Sequence, residues 1–228
     1  MTNSALLCDI GNSFLHFAHF DEIKNALNCF DNNKNIPPLR IYDIAPNDLE
    51  HFLANFDNNI YYISVSAKNE AKLLGIKNAI NMSNKIAINT AYKGLGADRA
   101  AACKGIKEGI ILDFGTAITI DYMKDNAHLG GYILPGFAGY KNALLSASSI
   151  LDLNFLDLFD DKIPQNTKEA IFFPLISFIN QAIKKEPELM VYISGGDGER
   201  FATFFPNARE LKCVNFLGLA RQILELEL

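Results

Sequence analysis

Two blocks of this chain share one pattern of apolar and polar residues. Residues 5–20 (ALLCDIGNSFLHFAHF) and residues 109–123 (GIILDFGTAITIDYM) each contain an apolar run, an aspartate, a glycine-containing turn and a second apolar run. The runs have the length of strands and are separated by turn residues, so each block predicts a β-hairpin. A hairpin that returns about a hundred residues later indicates a duplicated domain, with a boundary near residues 105–110.

The rest of the pattern predicts strands that alternate with helices. Short apolar runs predict strands at residues 40–44, 60–67, 85–90, 128–136 and 189–194. Apolar residues at helical spacing predict helices at residues 46–56, 69–80, 97–109, 139–151, 166–185 and 215–228. Residues 30–38 are rich in Asn and Asp and predict a surface loop. The fold class is therefore α/β.

Composition and charge exclude several classes of protein. The 228 residues are 49% hydrophobic and 21% charged, as in an ordinary globular protein. The net charge is −5 and the chain has no run of Lys or Arg, which argues against a nucleic-acid partner. No apolar stretch approaches the roughly 20 residues of a membrane span, and the N-terminus lacks the basic and apolar regions of a signal peptide. These features predict a soluble, cytoplasmic protein whose four cysteines are reduced.

The turns of the two hairpins carry residue types that bind phosphate. The first block offers Asp9, Gly11, Asn12 and Ser13, and the second offers Asp113, Gly115, Thr116 and Thr119. Glycine lets backbone N–H groups approach a ligand, and an acid at a strand end can hold a metal directly or through water. Either turn alone also suits a plain structural role. As a pair, the turns favour binding of a polyphosphate at its two ends.

Two further glycine motifs have two interpretations each. Residues 193–199 (ISGGDGE) follow an apolar strand, and either contact an adenosine or phosphate group or form a tight strand–helix turn. Residues 130–136 (GGYILPG) are open to the same two interpretations, and we favour a structural role. The sequence has neither a phosphate-binding GxxxxGK[ST] loop nor a GxGxxG motif, and its four histidines lack metal-ligand spacing.

The ordered motifs resemble those of one enzyme family. DxGN[ST] at residues 9–13, GxDR at 96–99, DxGTAxTxD at 113–121, GGxIxPG at 130–136 and [ST]GGD at 194–197 are similar to the type III pantothenate kinases of the actin and hexokinase superfamily. The resemblance implies two duplicated actin-like, ribonuclease-H-type domains, residues 1–106 and 107–228. Each would be a mixed β-sheet flanked by helices, with the active site in the inter-domain cleft.

The resemblance also implies an activity, its cofactors and its partners. The reaction is ATP-dependent phosphorylation of pantothenate to 4′-phosphopantothenate, the first step of coenzyme A biosynthesis. Mg²⁺ would accompany ATP, and a monovalent cation, K⁺ or NH₄⁺, would offset phosphate charge. The family further implies a homodimer.

Site residues are implied position by position. Asp98 would be the general base, which suits a carboxylate beside an acceptor hydroxyl. The substrate-binding residues would be Tyr92, Gly96, Ala97, Asp98, Arg99 and Thr167, where the Arg99 guanidinium suits the pantothenate carboxylate. The ATP-binding residues would be Asp9, Ile10, Gly11, Asn12, Ser13, Phe14, Leu15, His16 and Thr116, and Asp113 would bind the monovalent cation. Without a role in binding or catalysis, Asp98 and Thr167 would each be a helix N-cap, Arg99 a surface residue and Tyr92 a core residue.

Departures from the family pattern and two rival functions bear on this interpretation. Ser13 replaces the usual Thr, Ala18 stands where Gly is frequent, and Phe172 and Phe173 stand where many members have Gly, close to the expected pocket rim and dimer contact. One rival is a non-catalytic relative that acts as an accessory factor in transcription, against which the intact GxDR motif and the acidic charge argue. The other is a kinase or phosphatase of the same superfamily with another substrate.

Overall fold

The computed structural model describes residues 4–147, 159–160 and 162–226. Its strands are β1 (Leu6–Ile10), β2 (Leu15–His19), β3 (Ile41–Ile44), β4 (Ile60–Ser64), β5 (Ala79–Asn81), β6 (Asn89–Thr90), β7 (Gly109–Phe114), β8 (Ala117–Lys124), β9 (Ala127–Pro135), β10 (Val191–Ser194) and β11 (Arg209–Glu210). Its helices are α1 (Phe20–Asp31), α2 (Leu49–Leu53), α3 (Ala67–Glu70), α4 (Ala97–Gly105), α5 (Phe137–Ala147), α6 (Thr167–Ile183), α7 (Gly198–Ala202) and α8 (Val214–Glu225). No described helix combines the length and hydropathy required to span a bilayer.

The chain divides into two compact units. The first contains the residues up to Lys107, the short segment Asn126–His128 and the segment from Cys213 onward. The second contains Glu108–Asp125 and Leu129–Lys212. This division differs from the predicted assignment of residues 107–228 to one domain, because α8 packs against α1 and α4 of the first unit.

The first unit is built on a mixed sheet with the strand order β3-β2-β1-β4-β5. β2 is antiparallel to β1 and β3, whereas β4 is parallel to β1 and β5. Alternate residues of the central strands, among them Cys8, Ile10 and Tyr62, enter one buried cluster with Phe17. The predicted first hairpin is thus the centre of this sheet.

The second unit repeats that order of strands. Five of the six strands of the second sheet run β9-β8-β7-β10-β11, with β7 antiparallel to β8 and parallel to β10. Its core is rich in phenylalanine: the Phe114 and Phe201 rings stack with centroids 4.3 Å apart, and Phe172 and Phe173 of α6 are buried beside them. The two halves therefore share one topology, which confirms the duplicated α/β fold predicted from the two hairpins.

Close packing of two helices completes the first unit. A Cβ atom on Gly218 of α8 would overlap the carbonyl oxygen of Ala101 in α4, and one on Gly105 would overlap the carbonyl oxygen of Val214. The guanidinium of Arg221 donates to both carboxylate oxygens of Asp31, at 2.8 and 2.9 Å. The glycines thus permit a backbone-to-backbone approach that fixes α8 against α4.

Several predicted elements need correction. The helix predicted at residues 69–80 is wrong, since α3 ends at Glu70 and β5 instead pairs with β4. The strand predicted at 85–90 is limited to β6, which pairs with Ala127 and His128, and the helix predicted from 97 ends at Gly105. The pattern missed α1 and β11. The helix predicted at 139–151 matches α5 up to Ala147, and its remaining residues lie outside the described part.

Candidate active site

The first hairpin ends in a tight turn that exposes its polar residues. The N–H of Gly11 donates to the carbonyl oxygen of Phe14 at 3.0 Å, and the Asn12, Ser13 and Phe14 side chains are exposed. Ile10 and Leu15, which flank the turn, are fully buried. The turn therefore exposes the short polar side chains of Asn12 and Ser13, and their contact with phosphate stays a prediction.

The buried side chain of Asn69, which the sequence did not single out, donates hydrogen bonds to this turn. The Nδ2 group of Asn69 donates to the carbonyl oxygens of Gly11 and Asn12, at 2.8 and 3.1 Å. Only 3% of the Asn69 surface is exposed. These two hydrogen bonds from Asn69 stabilise the conformation of the turn.

Asp9 lies in β1 just before the turn and is held by the last helix. The Nδ2 group of Asn215, the second residue of α8, donates to Oδ2 of Asp9 at 2.7 Å. Burial raises the pKa of Asp9, the Asn215 hydrogen bond lowers it, and the negative charge of Asp98 raises it again. The predicted ATP-loop acid and the predicted general base thus interact electrostatically within the first unit. His16, opposite Asp9 in the hairpin, forms a 2.6 Å contact with Asp43.

The GxDR motif forms the start of α4. Gly96 is the N-cap and Ala97 the first helical residue, so the alternative role of Asp98 as the N-cap is wrong. The Oδ1 atom of Asp98 accepts a hydrogen bond from the Arg99 N–H at 2.7 Å. A Cβ atom at position 96 would lie 2.7 Å from the same oxygen, so a larger residue there would displace the Asp98 carboxylate from this position.

Arg99 and Tyr92 lie together beside Asp98. Arg99 is 6% exposed, which contradicts the surface alternative, and its Nη1 group donates to Oη of Tyr92 at 3.3 Å. Tyr92 is 36% exposed, which contradicts the core alternative. The Tyr92 ring centre lies 5.7 Å from that of His128, and Nδ1 of His128 lies 2.8 Å from Oγ1 of Thr90. Three of the predicted substrate-binding residues therefore belong to one cluster of the first unit.

The second hairpin has an equivalent turn, supported by the two other glycine motifs. Gly115 donates its N–H to the carbonyl oxygen of Ala117 at 3.0 Å, and Thr116 is exposed. The N–H of Gly136 donates to the carbonyl oxygen of Thr116 at 3.0 Å, and a Cβ atom on Gly136 would lie 2.5 Å from that oxygen. Gly136 therefore packs its backbone against the turn of the second hairpin, and the structural role of residues 130–136 stays a prediction.

The SGGD turn packs against the acid of the second hairpin. Gly195 has φ +86°, and a Cβ atom there would lie 2.5 Å from Oδ1 of Asp113 and even closer to the carbonyl oxygen of Phe114. Asp197 donates its N–H to that same Phe114 oxygen at 3.0 Å. The glycine thus lets the backbone after β10 approach the Asp113 carboxylate closely.

The remaining predicted residues lie elsewhere in the second unit or in the core. Thr167 is exposed at the first position of α6, and the N-cap is Asn166, whose Oδ1 accepts from the Glu169 N–H at 3.0 Å. The N-cap alternative for Thr167 is therefore wrong. Phe172 and Phe173, expected near a pocket rim, fill the core of the second unit, and Ala18 is buried in β2.

Comparison with known proteins identifies related sequences and structures. A family model described as type III pantothenate kinase matches residues 5–185. A type III pantothenate kinase from Wolinella succinogenes is 35% identical over 225 residues, which cover 97% of this chain and 98% of that protein. A crystal structure from Campylobacter jejuni, described as a conserved Baf family transcriptional activator, is 33% identical with a TM-score of 0.76, covering 97% of this chain and 98% of the other. A structure from Sinorhizobium meliloti, described as a 2-dehydro-3-deoxygalactonokinase, has a TM-score of 0.58 at 11% identity, covering 97% of this chain and 96% of the other, and shares only the fold.

Proposed function

The chain belongs to the type III pantothenate kinase family, and on that premise we propose that it transfers the γ-phosphoryl group of ATP to pantothenate. The product is 4′-phosphopantothenate, and the reaction is the first step of coenzyme A biosynthesis. The observation that carries this proposal is the grouping of Asp98, Arg99 and Tyr92 at the start of α4, within electrostatic reach of Asp9.

Asp98 is the general base of the proposed reaction. Phosphoryl transfer through a loose transition state depends mainly on positioning and on charge stabilisation, so the protein has little covalent chemistry to perform. A carboxylate that accepts the proton of the acceptor hydroxyl typically contributes about 10²–10⁴ in rate. The hydrogen bond from the Arg99 N–H holds the Asp98 carboxylate at the helix start, and Gly96 has no side chain that would displace it.

Arg99 and Tyr92 bind the acceptor, with the backbone of Gly96 and Ala97. The guanidinium of Arg99 lies 5.0 Å from the centre of the Tyr92 ring and is largely shielded from solvent. In such surroundings its attraction for the carboxylate of pantothenate is stronger than in water. Thr167, exposed at the start of α6, is proposed to contact the acceptor bound by a second copy in a homodimer.

Residues of the two turns bind ATP and its cations. The ATP contacts come from residues 9–16, mainly through the backbone, and from Thr116. The family acts on ATP together with a divalent metal, and we propose Mg²⁺, for which the carboxylate of Asp9 is a suitable oxygen ligand, directly or through water. K⁺ or NH₄⁺ is proposed at Asp113, where Gly195 leaves space for backbone beside the carboxylate oxygen. Bound cations would stabilise the negative charge that develops on the phosphates.

An accessory role in transcription is the second candidate, because the Campylobacter jejuni relative is described as a transcriptional activator. The two candidates differ in one property: a kinase releases ADP only when both substrates are present. Asp98 and the buried Arg99 support the kinase, since neither is required for an accessory role. The net charge of −5 also disfavours direct contact with DNA.

ADP release by the purified protein tests the proposal. We expect release from MgATP only with pantothenate, faster in potassium than in sodium buffer, and formation of 4′-phosphopantothenate in equal amount. Asp98→Asn should abolish most of this turnover, whereas the exposed Asp48→Asn serves as the matched control with wild-type rates. ADP release at the same rate with and without pantothenate would indicate a phosphatase. A folded protein without any ADP release would favour the accessory role.

A further inference from the structure

Asn215 lies outside every motif of the sequence and yet contacts the acid of the first turn. It is separated from Asp9 by 206 positions, and its Nδ2 group is 2.7 Å from Oδ2 of that carboxylate. An ionised carboxylate accepts hydrogen bonds only, so the NH₂ group of the asparagine must be the side that faces Asp9.

The other end of the same side chain is unusual. Oδ1 of Asn215 is buried and has no hydrogen-bond partner among residues 4–147, 159–160 and 162–226. A buried acceptor without a hydrogen bond destabilises the folded protein. A leucine of similar volume would avoid that cost, but it would also remove the amide donor of the Asp9 carboxylate.

The helix that carries Asn215 is held firmly in the first unit. The backbone of α8 touches that of α4 at Gly218 and Gly105, and Arg221 anchors the helix to Asp31. Lys104 of α4 adds an ion pair of 2.6 Å with Glu225 of α8. An amide on such a support can fix the rotation of the Asp9 carboxylate, because the donor itself has little freedom to move.

We propose that Asn215 is a positioning residue for phosphoryl transfer, which orients the Asp9 carboxylate toward the metal-bound nucleotide. This inference rests on the proposed kinase function. Partners that orient metal-binding side chains typically contribute about 10–100-fold to metal affinity or activity. Asn215 acts through Asp9 and does not itself need to touch the nucleotide.

Asn215→Ala and the volume-conserving Asn215→Leu test the proposal, with Gln222→Ala as the matched control. Gln222 is a buried amide of the same helix, and its Oε1 accepts from the Ala87 N–H at 2.7 Å, away from Asp9. Calorimetric titration with MgATP should show about 10–100-fold weaker binding for both Asn215 variants and wild-type affinity for Gln222→Ala. Wild-type affinity in Asn215→Leu would overturn the proposal, even if Asn215→Ala failed to fold.

An Asp9→Asn background separates positioning from a general structural effect. If Asn215 acts through Asp9, Asn215→Leu should weaken MgATP binding no further once Asp9 is replaced. An equal loss in both backgrounds would refute the proposal. Steady-state rates with pantothenate provide the second readout, in which kcat should fall while KM for pantothenate stays unchanged. If the wild-type protein itself phosphorylates nothing, the proposed function fails, and the binding titration still decides the role of Asn215.

Discussion

Replacing Gly218 with alanine should force α8 away from α4. The new Cβ atom would overlap the carbonyl oxygen of Ala101 and lie 2.7 Å from its carbonyl carbon and 2.8 Å from the Gly105 nitrogen. All three are backbone atoms, so no change of rotamer can relieve the overlap. Overpacking of a core typically costs about 1–3 kcal/mol, and we expect about 3 kcal/mol here because the whole helix must move.

The thermal midpoint provides the assay. For a protein of this size each kcal/mol shifts the midpoint by about 2–4 °C, so Gly218→Ala should lower it by about 6–12 °C. Gly75→Ala is the matched control, since a Cβ atom there meets nothing within 4 Å. Circular dichroism of the ligand-free proteins measures both. A Gly218→Ala midpoint equal to that of Gly75→Ala would refute the argument that backbone contact fixes α8.

Three other substitutions test the site. Asp98→Asn should keep the wild-type fold and MgATP affinity but lose about 10²–10⁴ in kcat, and wild-type turnover would remove the general-base role. Asn69→Ala should lower the free energy of unfolding by about 1–3 kcal/mol and raise KM for ATP, because two carbonyl groups of the turn lose their donor. Urea titration measures the first effect and steady-state kinetics the second. An unchanged KM would contradict the role of Asn69. Asp9→Asn should be more stable than the wild type at pH 7. Burial raises the pKa of Asp9 in the folded state above the ordinary 3.8. The wild type therefore loses stability as the pH rises from 3.8 through the folded pKa. The stability difference should shrink below pH 3.8, and a less stable Asp9→Asn at pH 7 would contradict this reasoning.

Local sequence patterns were sufficient for the parts of the fold that depend on neighbouring residues. The two hairpins follow from short apolar runs separated by turn residues, and their shared strand order follows from duplication. The pattern predicted the wrong element where pairing with a distant strand determines the structure. Ala79 and Ile80 have helical spacing with the residues before them, yet the available edge of β4 draws them into a strand.

The candidate site shows the same limit. Asp98 and Arg99 could be proposed from their motif, because the two residues are adjacent in the chain. Asn69 and Asn215 could not, since each contacts the first turn from a distant part of the sequence and belongs to no recognisable motif. The helical periodicity of residues 215–228 predicted a helix but not which sheet it would cover. The spacing of apolar residues within an element carries no information on its distant partners.

The return of α8 to the first unit sets an order of events during synthesis. The ribosome makes Asp9 and α4 early, but the helix that packs on α4 and supplies Asn215 follows about a hundred residues after α4. At about 5–20 residues per second, this interval lasts roughly 5–25 s. Until then the nascent first unit exposes the apolar face that α8 covers, and Asp9 lacks its amide donor. Nascent chains are thus vulnerable to aggregation and to chaperone capture during that interval, and a product truncated before Cys213 stays in that state.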